Sequence, residues 1–351
     1  MRPHPNNLYA FAPPIAFLLA AKGVLIRDFG DRLLGLVTTQ YLSIMTSSAF
    51  HVNWTRPYNL RKYFRVHDCA DRLHGGRYRR GLAVRAARSS AKVVPAVDAW
   101  GYFTNDTFAK DLEQNIDVMT NGRHWSDVVH ATSSSNRARF LRLEALSRQQ
   151  LFKLGVDALL SPRRNVIDAT RAILEQLTAS KDNDSLFSKK AWYVGVQIRC
   201  GSHGMLAWND PKRHSLADIP CFVKGTMQAC AGRTTCPIFL TADSVTASKA
   251  FRDAVITSGV VNAKIVEAEG PILHTDRTNV SAANAMGAPD PWLRSVVDWW
   301  MLKQASALVI SRSGFGETAA WASKKNTPTQ RLELGRPGAC NLSVFDTLSR
   351  F

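Results

Sequence analysis

Short apolar runs alternate with helix-periodic stretches through the second half of the chain. Residues 193–198, 238–241, 264–266 and 307–310 form the apolar runs, and residues 244–256 and 292–303 carry apolar side chains at helical spacing. A strand that pairs in parallel with the next needs a crossover long enough to hold a helix, so this alternation predicts βα units around a parallel sheet. Such sheets bind ligands beyond the carboxyl ends of their strands, where loops and helix starts converge. The residues just after each strand are therefore the first candidates for function.

Upstream, Phe140, Leu143, Leu146, Leu151, Leu154 and Leu159 predict a helix over 139–160 that Pro162 ends. Val166, Ile167, Ile173, Leu174 and Leu177 mark the apolar stripe of a second helix, and the polar stretch 180–185 after it reads as a linker. That linker divides the chain into residues 1–180 and 186–351. Residues 9–26 are apolar enough to suggest a membrane anchor, but Pro13, Pro14 and Lys22 interrupt them. The expectation there is a buried helix over 15–21 running into a strand over 23–26, with any tether at or before the extreme start.

At 351 residues with 45% apolar side chains, the chain can bury the core of one large or two medium domains. It holds 45 Lys plus Arg against 28 Asp plus Glu, a formal charge of +17, and 30 of those cations are Arg. Guanidinium groups fork onto carboxylate or phosphate, so that ratio points to an anionic ligand. The densest basic cluster runs from Arg72 to Lys92 with few aromatics and no zinc-finger or RNA-binding signature, which reads as a solvated basic face. Six cysteines, Cys69, Cys200, Cys221, Cys230, Cys236 and Cys340, include no C-x-x-C pair, so buried thiols or disulfides are expected ahead of structural zinc. With N-x-S/T sequons at Asn53, Asn105, Asn183, Asn279 and Asn341, they point to the secretory pathway.

Three strand ends carry the polar groups suited to chemistry. Arg199 follows the first strand in VGVQIRCGSHG, where Gly201 and Gly204 let a ligand approach the backbone and the arginine can grip a phosphate. Asp243 follows the second in IFLTADS; it can accept from a ribose hydroxyl or a base edge, or cap the helix that begins near Ser244. The last strand enters ISRSGFGETAAWAS, where Ser311, Arg312, Ser313, Gly314, Phe315 and Gly316 form a tight turn into a helix. Helix-start amides, hydroxyls and glycines together make an anion cradle. SGFGE imitates the nucleophile elbow G-x-S-x-G but lacks the glycine two before the serine, which sets an esterase aside. His274, Asp276 and Arg277 in GPILHTDRT offer polar groups on another strand-end loop. The run from Val297 to Leu302, with its adjacent tryptophans, reads as a helix packed on both sides.

In combination these segments resemble fucosyltransferases that use GDP-fucose, above all the plant xyloglucan type and its algal relatives. The bacterial nodulation and protein O-fucosyltransferases are more distant kin. YVGVQIR is similar to the family's first motif, IFLTADS to the second and DWWMLKQASALVISRSGFGETAAWA to the long third. LYAFAPPIAFLLAAKGVLIRDFG resembles the helix and first strand of the acceptor-side domain, so the likeness runs nearly end to end. The resemblance implies an α/β chain of two Rossmann-like domains facing across a cleft, the GT-B arrangement. Residues 1–180 would form the acceptor-side domain and 186–351 the donor-binding one. It further implies that Arg199 holds the donor pyrophosphate, and that Asp243, His274 and the turn from Ser311 to Gly316 complete the donor site. Gln197 matches the plant type, where mammalian enzymes usually carry His. Asp210 and Glu317 are the acids nearest the site by position, and the catalytic base stays unassigned.

The reaction so implied is an inverting, metal-independent transfer of fucose from GDP-fucose to a hydroxyl of an oligosaccharide or polysaccharide, such as a cell-wall glycan or glycoprotein chain. A Golgi or secretory lumen would house it. No cofactor other than the donor substrate, no metal and no nucleic acid are expected, because Arg199 and the 311–316 turn can carry the departing charge. Two other readings stay open: a basic protein that binds acidic polysaccharide or nucleic acid through the Arg72 to Lys92 cluster, and a fucosyltransferase-like fold without turnover.

Overall fold

The computed structural model describes residues 16–20, 29–45, 49–54, 58–67, 92–94, 116–118, 146, 148–178, 191–201, 213–259, 262–273, 290–324 and 327–345. In the first part of the chain, β1 (Ala16–Ala20) precedes α1 (Phe29–Met45) and pairs in parallel with β2 (Ala49–Asn53). This corrects the helix expected over 15–21. A short apolar run such as AFLLA has no period to separate helix from strand, and here the α1 crossover supplies a parallel partner. The strand expected over 23–26 lies outside the described residues. So do Asp210, His274 and all of the basic cluster except Lys92.

Two short pairs follow: β3 (Phe64–Val66), β4 (Lys92–Val94) and β5 (Ile116–Val118) lead to α2 (Arg148–Leu159), β6 (Leu160–Pro162) and α3 (Arg164–Thr178). β3 pairs antiparallel with β6, and β4 pairs in parallel with β5. α3 realises the second predicted helix.

The alternating half builds β7 (Val194–Ile198), α4 (Ile219–Cys230), β8 (Cys236–Ala242), α5 (Val245–Thr257), β9 (Ala263–Val266), α6 (Leu293–Gln304), β10 (Ala307–Ser311), α7 (Gly314–Ala322), β11 (Thr329–Leu332) and β12 (Leu342–Val344). They form a six-stranded sheet in the order β12-β11-β10-β7-β8-β9, parallel except for β12 at one edge. Every residue of β7 and β10 is buried, as a strand covered on both faces requires. The chain winds from β7 out to β9 and then returns to β10 on the other side of β7. This reversal is a topological switch point, and a crevice opens there at the carboxyl ends.

α4 and α5 cover one face of the sheet with Phe222, Val223, Phe251 and Val255. On the other face Trp299, Met301 and Leu302 of α6 and Ala319 of α7 share a single apolar cluster with α1, α2 and α3, including Phe29, Leu33, Phe152 and Ile173. Helices from both sides of the 180–185 stretch thus close one core. A disulfide joins Cys230 at the end of α4 to Cys236 at the start of β8. Among the described residues no helix is long and apolar enough to cross a membrane.

α1 and α7 meet end to end. A Cβ on Gly30 would sit 2.1 Å from the carbonyl oxygen of Gly314 and 2.7 Å from the Phe315 nitrogen. Backbone cannot yield as a side chain can, so Gly30→Ala is expected to lower stability by roughly 2–3 kcal/mol, as overpacking does, in denaturant titration of the full chain.

Candidate functional site

The switch point is cross-linked by polar side chains. Gln197, on β7, is buried, and its side-chain Oε1 accepts the Ser311 N–H at 3.1 Å and the Ser313 hydroxyl at 3.3 Å. Ser311 Oγ in turn accepts the Arg199 N–H at 2.8 Å and donates to the Gln197 carbonyl at 3.2 Å. Ser313 Oγ also accepts the Gly316 N–H at 3.3 Å, so Ser313 is the N-cap of α7. A Cβ at Gly316 would lie 2.6 Å from Gln197 Oε1, which explains the glycine. Both serine hydroxyls of the turn therefore bond to the protein itself. The first amides of α7 have no carbonyl partner within the helix, and Ser313 caps the one at Gly316.

Arg199 leaves the end of β7 with its side chain 10% exposed, and its Nε lies 3.4 Å from Asp243 Oδ2. Asp243 does not cap α5; Ser244 does, through the Ala247 N–H. Instead the two Asp243 oxygens accept the Cys200 and Gly201 amides, each at 2.9 Å. Asp243 thus fixes the loop that carries Arg199 and the direction of its guanidinium. Burial pushes the Asp243 carboxyl above its ordinary value, and Arg199 and the two amides oppose that shift.

Arg199, Asp243, Ser313 and Phe315 line one cleft. Pro271, Ile272 and Leu273 line it too, immediately before His274. Phe29 from the start of α1 packs against Phe315 with ring centroids 6.2 Å apart, so the first half of the chain supplies part of the wall. Arg312 turns away: its side chain is 58% exposed, with Glu333 3.8 Å distant. Glu317 also faces elsewhere, paired with Arg331 at 2.9 Å, and burial raises its carboxyl. The Asp31 carboxylate, at the start of α1, lies beside Gly314, where a Cβ would be 2.7 Å from Oδ1.

Two lining residues escaped the sequence reading. Asp298 on α6 accepts the Thr241 hydroxyl at 2.9 Å through Oδ2, while Oδ1 is buried with no hydrogen-bond partner. Arg294, one turn earlier, stands 3.7 Å from Asp298 and 3.2 Å from Glu267, and donates to the Gly270 carbonyl at 2.7 Å. Burial raises the Asp298 carboxyl to about 6, with Arg294 and Thr241 pulling the other way. The available signal was one acid inside an otherwise apolar helical window, with an arginine four residues before it on the same face.

A scan of protein-family models and a search of curated proteins return no match. Solved structures do match. Arabidopsis thaliana FUT1, as a point mutant in complex with GDP, aligns with a TM-score of 0.57 at 11% identity, over 92% of this chain and 70% of that one. NodZ alpha-1,6-fucosyltransferase soaked with GDP-fucose gives a TM-score of 0.51 at 14% identity, over 95% of this chain and 99% of that one. The same protein co-crystallised with GDP gives 0.50 at 14% identity over the same shares. The chain shares the GT-B fold of these structures. At these identities the likeness is one of fold, and the chemistry comes from the cleft's own residues.

Two outcomes follow from that geometry. Ser313→Ala removes the cap of α7 and a partner of Gln197, and should lower stability by about 1–2 kcal/mol in thermal or denaturant melts. Asp298 has a folded pKa of about 6 against an ordinary 3.8, so ionising it costs the folded state. The penalty is complete above about pH 6 and fades as pH falls toward about 4. Asp298→Asn should therefore exceed the wild type in stability by roughly 3 kcal/mol near neutral pH, and lose that advantage near pH 4.

Proposed function

We propose that the cleft holds GDP-fucose and that the chain moves fucose from it to a glycan hydroxyl with inversion, without a metal. The observation that carries this reading is the convergence of Arg199 and the N-terminus of α7 on one cleft at the switch point. A guanidinium beside a helix N-terminus suits a diphosphate. The orphan Oδ1 of Asp298 supports the choice of base, since a buried acceptor suits an edge that presents N–H donors, as guanine does. Phe29 and Phe315 supply an apolar wall.

In this reading the bond between fucose C1 and the β-phosphate oxygen breaks with oxocarbenium character, and its electron pair stays on the diphosphate. Arg199 and the α7 amides meet the charge that grows there, in a cleft already shaped before substrate arrives. Asp243 positions Arg199 for that task and keeps the loop closed behind it. The acceptor hydroxyl attacks the opposite face of C1 and gives up its proton. Residues 1–180 would then serve the acceptor and 186–351 the donor. The Cys230–Cys236 disulfide supports a secretory or Golgi lumen, where such bonds persist.

Calorimetric titration with GDP, GDP-fucose, UDP-sugars and a heparin-like polymer tests the proposal. GDP should bind in the presence of a chelator, and Arg199→Ala should weaken it by at least about 2 kcal/mol, roughly thirty-fold. Unchanged GDP affinity in that variant, or tighter binding of the polymer than of GDP, would remove the site assignment.

A further inference from the structure

The connection between β11 and β12 runs along the start of α4, and contacts on either side fix its register. Asp218 Oδ1 accepts the Gly338 N–H at 2.7 Å, and a Cβ on Gly338 would lie 3.9 Å from the Ala217 carbonyl oxygen. Further along, a Cβ on Gly225 would lie 3.3 Å from Leu342 Cδ1. Four helical residues advance about 6 Å and two extended residues about 6.6 Å, so the two segments keep step. With residue 217 opposite 338 and 225 opposite 342, the middle rung is Cys221 opposite Cys340. Burial raises the Cys221 thiol's pKa, and Cys340 lies near enough to push it up further. Cys221 is buried at 4% exposure, whereas Cys340 is exposed.

We propose that Cys221 and Cys340 are a modification site, oxidised to a second disulfide that staples the β12 edge of the sheet to α4. The chain already carries one disulfide, Cys230–Cys236, at the other end of the same helix. The oxidant is an external disulfide such as oxidised glutathione. The exposed Cys340, as thiolate, attacks it, forms a mixed disulfide and releases one glutathione thiolate. Cys221 then loses its proton and displaces the second glutathione, so two protein thiols give up two electrons and the oxidant becomes two thiols. Burial and the adjacent thiol hold Cys221 at about 12, which makes it the second to react. The staple bears on the cleft as well. Asp218 receives the Ser215 and Gly338 amides, and His214 beside it donates its N–H to the Arg199 carbonyl at 3.2 Å, so the fastened segment backs the strand end that carries Arg199.

The test uses the full chain equilibrated with oxidised glutathione, alkylated without reductant, digested and mapped by mass spectrometry. A peptide pair joining Cys221 to Cys340, lost on treatment with dithiothreitol, is the expected result. In parallel, oxidised Cys340→Ser should melt roughly 5 °C below oxidised wild type, and the two reduced proteins should melt together. The proposal is overturned if Cys340 is alkylated in full in the oxidised protein, if it is found joined to Cys69 or Cys200, or if the oxidised proteins melt alike.

Discussion

The side-chain carbonyl of Gln197 sits where β7 and β10 part, and it takes two hydrogen bonds from the segment that leaves β10. Both donors are buried, so each would cost about 1–3 kcal/mol if left unpaired. Ser311 closes the link in the other direction by holding the amide of Arg199. The arginine at one strand end and the helix that starts after the next strand are consequently a single hydrogen-bonded unit. Gly316 is part of the same arrangement, because any Cβ there would displace the Gln197 oxygen. The position of the α7 amides relative to Arg199 is set before any ligand arrives, which is what electrostatic preorganisation requires.

Charge in the cleft is arranged around that unit in two groups. Arg199 with Asp243 forms one, and Arg294 with Glu267 and Asp298 the other. Burying ionised groups is unfavourable unless each is paired and hydrogen-bonded. Asp243 comes close to that condition through two amides and a guanidinium. Asp298 does not, because one of its oxygens faces no donor. An acid kept in such a place weakens the fold at neutral pH. Uncompensated buried charge of this kind gathers where a ligand completes the pairing.

The cleft also depends on the first half of the chain. Phe29 stands at the junction of α1 with α7 and packs on Trp54, Trp299 and Phe315, so the aromatic wall and the common apolar core are continuous. Gly30 and Gly314 permit the close approach that brings Phe29 there.

Much of this architecture is written in local pattern. The alternation of apolar runs with helical stripes determines the parallel sheet, and a sheet so wound places Arg199, Asp243 and the 311–316 turn at its carboxyl edge. α3 follows from its stripe of Val166, Ile173 and Leu177, which are buried in the core. Other features have no local signature. AFLLA became a strand because a partner lay beside it, and Asp298 reads as one polar interruption in a packed helix. Cys221 and Cys340 are far apart in the chain and meet only because β12 folds back along α4. Above all, the sequence names the polar groups at the strand ends without assigning their partners. A serine hydroxyl or an aspartate oxygen can serve a ligand or a backbone amide equally well. Tertiary structure decided that Ser311, Ser313 and Asp243 bond to the protein's own amides while Arg199, Asp298 and the start of α7 line the cleft, because only the packed strands and helices determine which donor lies within reach of which acceptor.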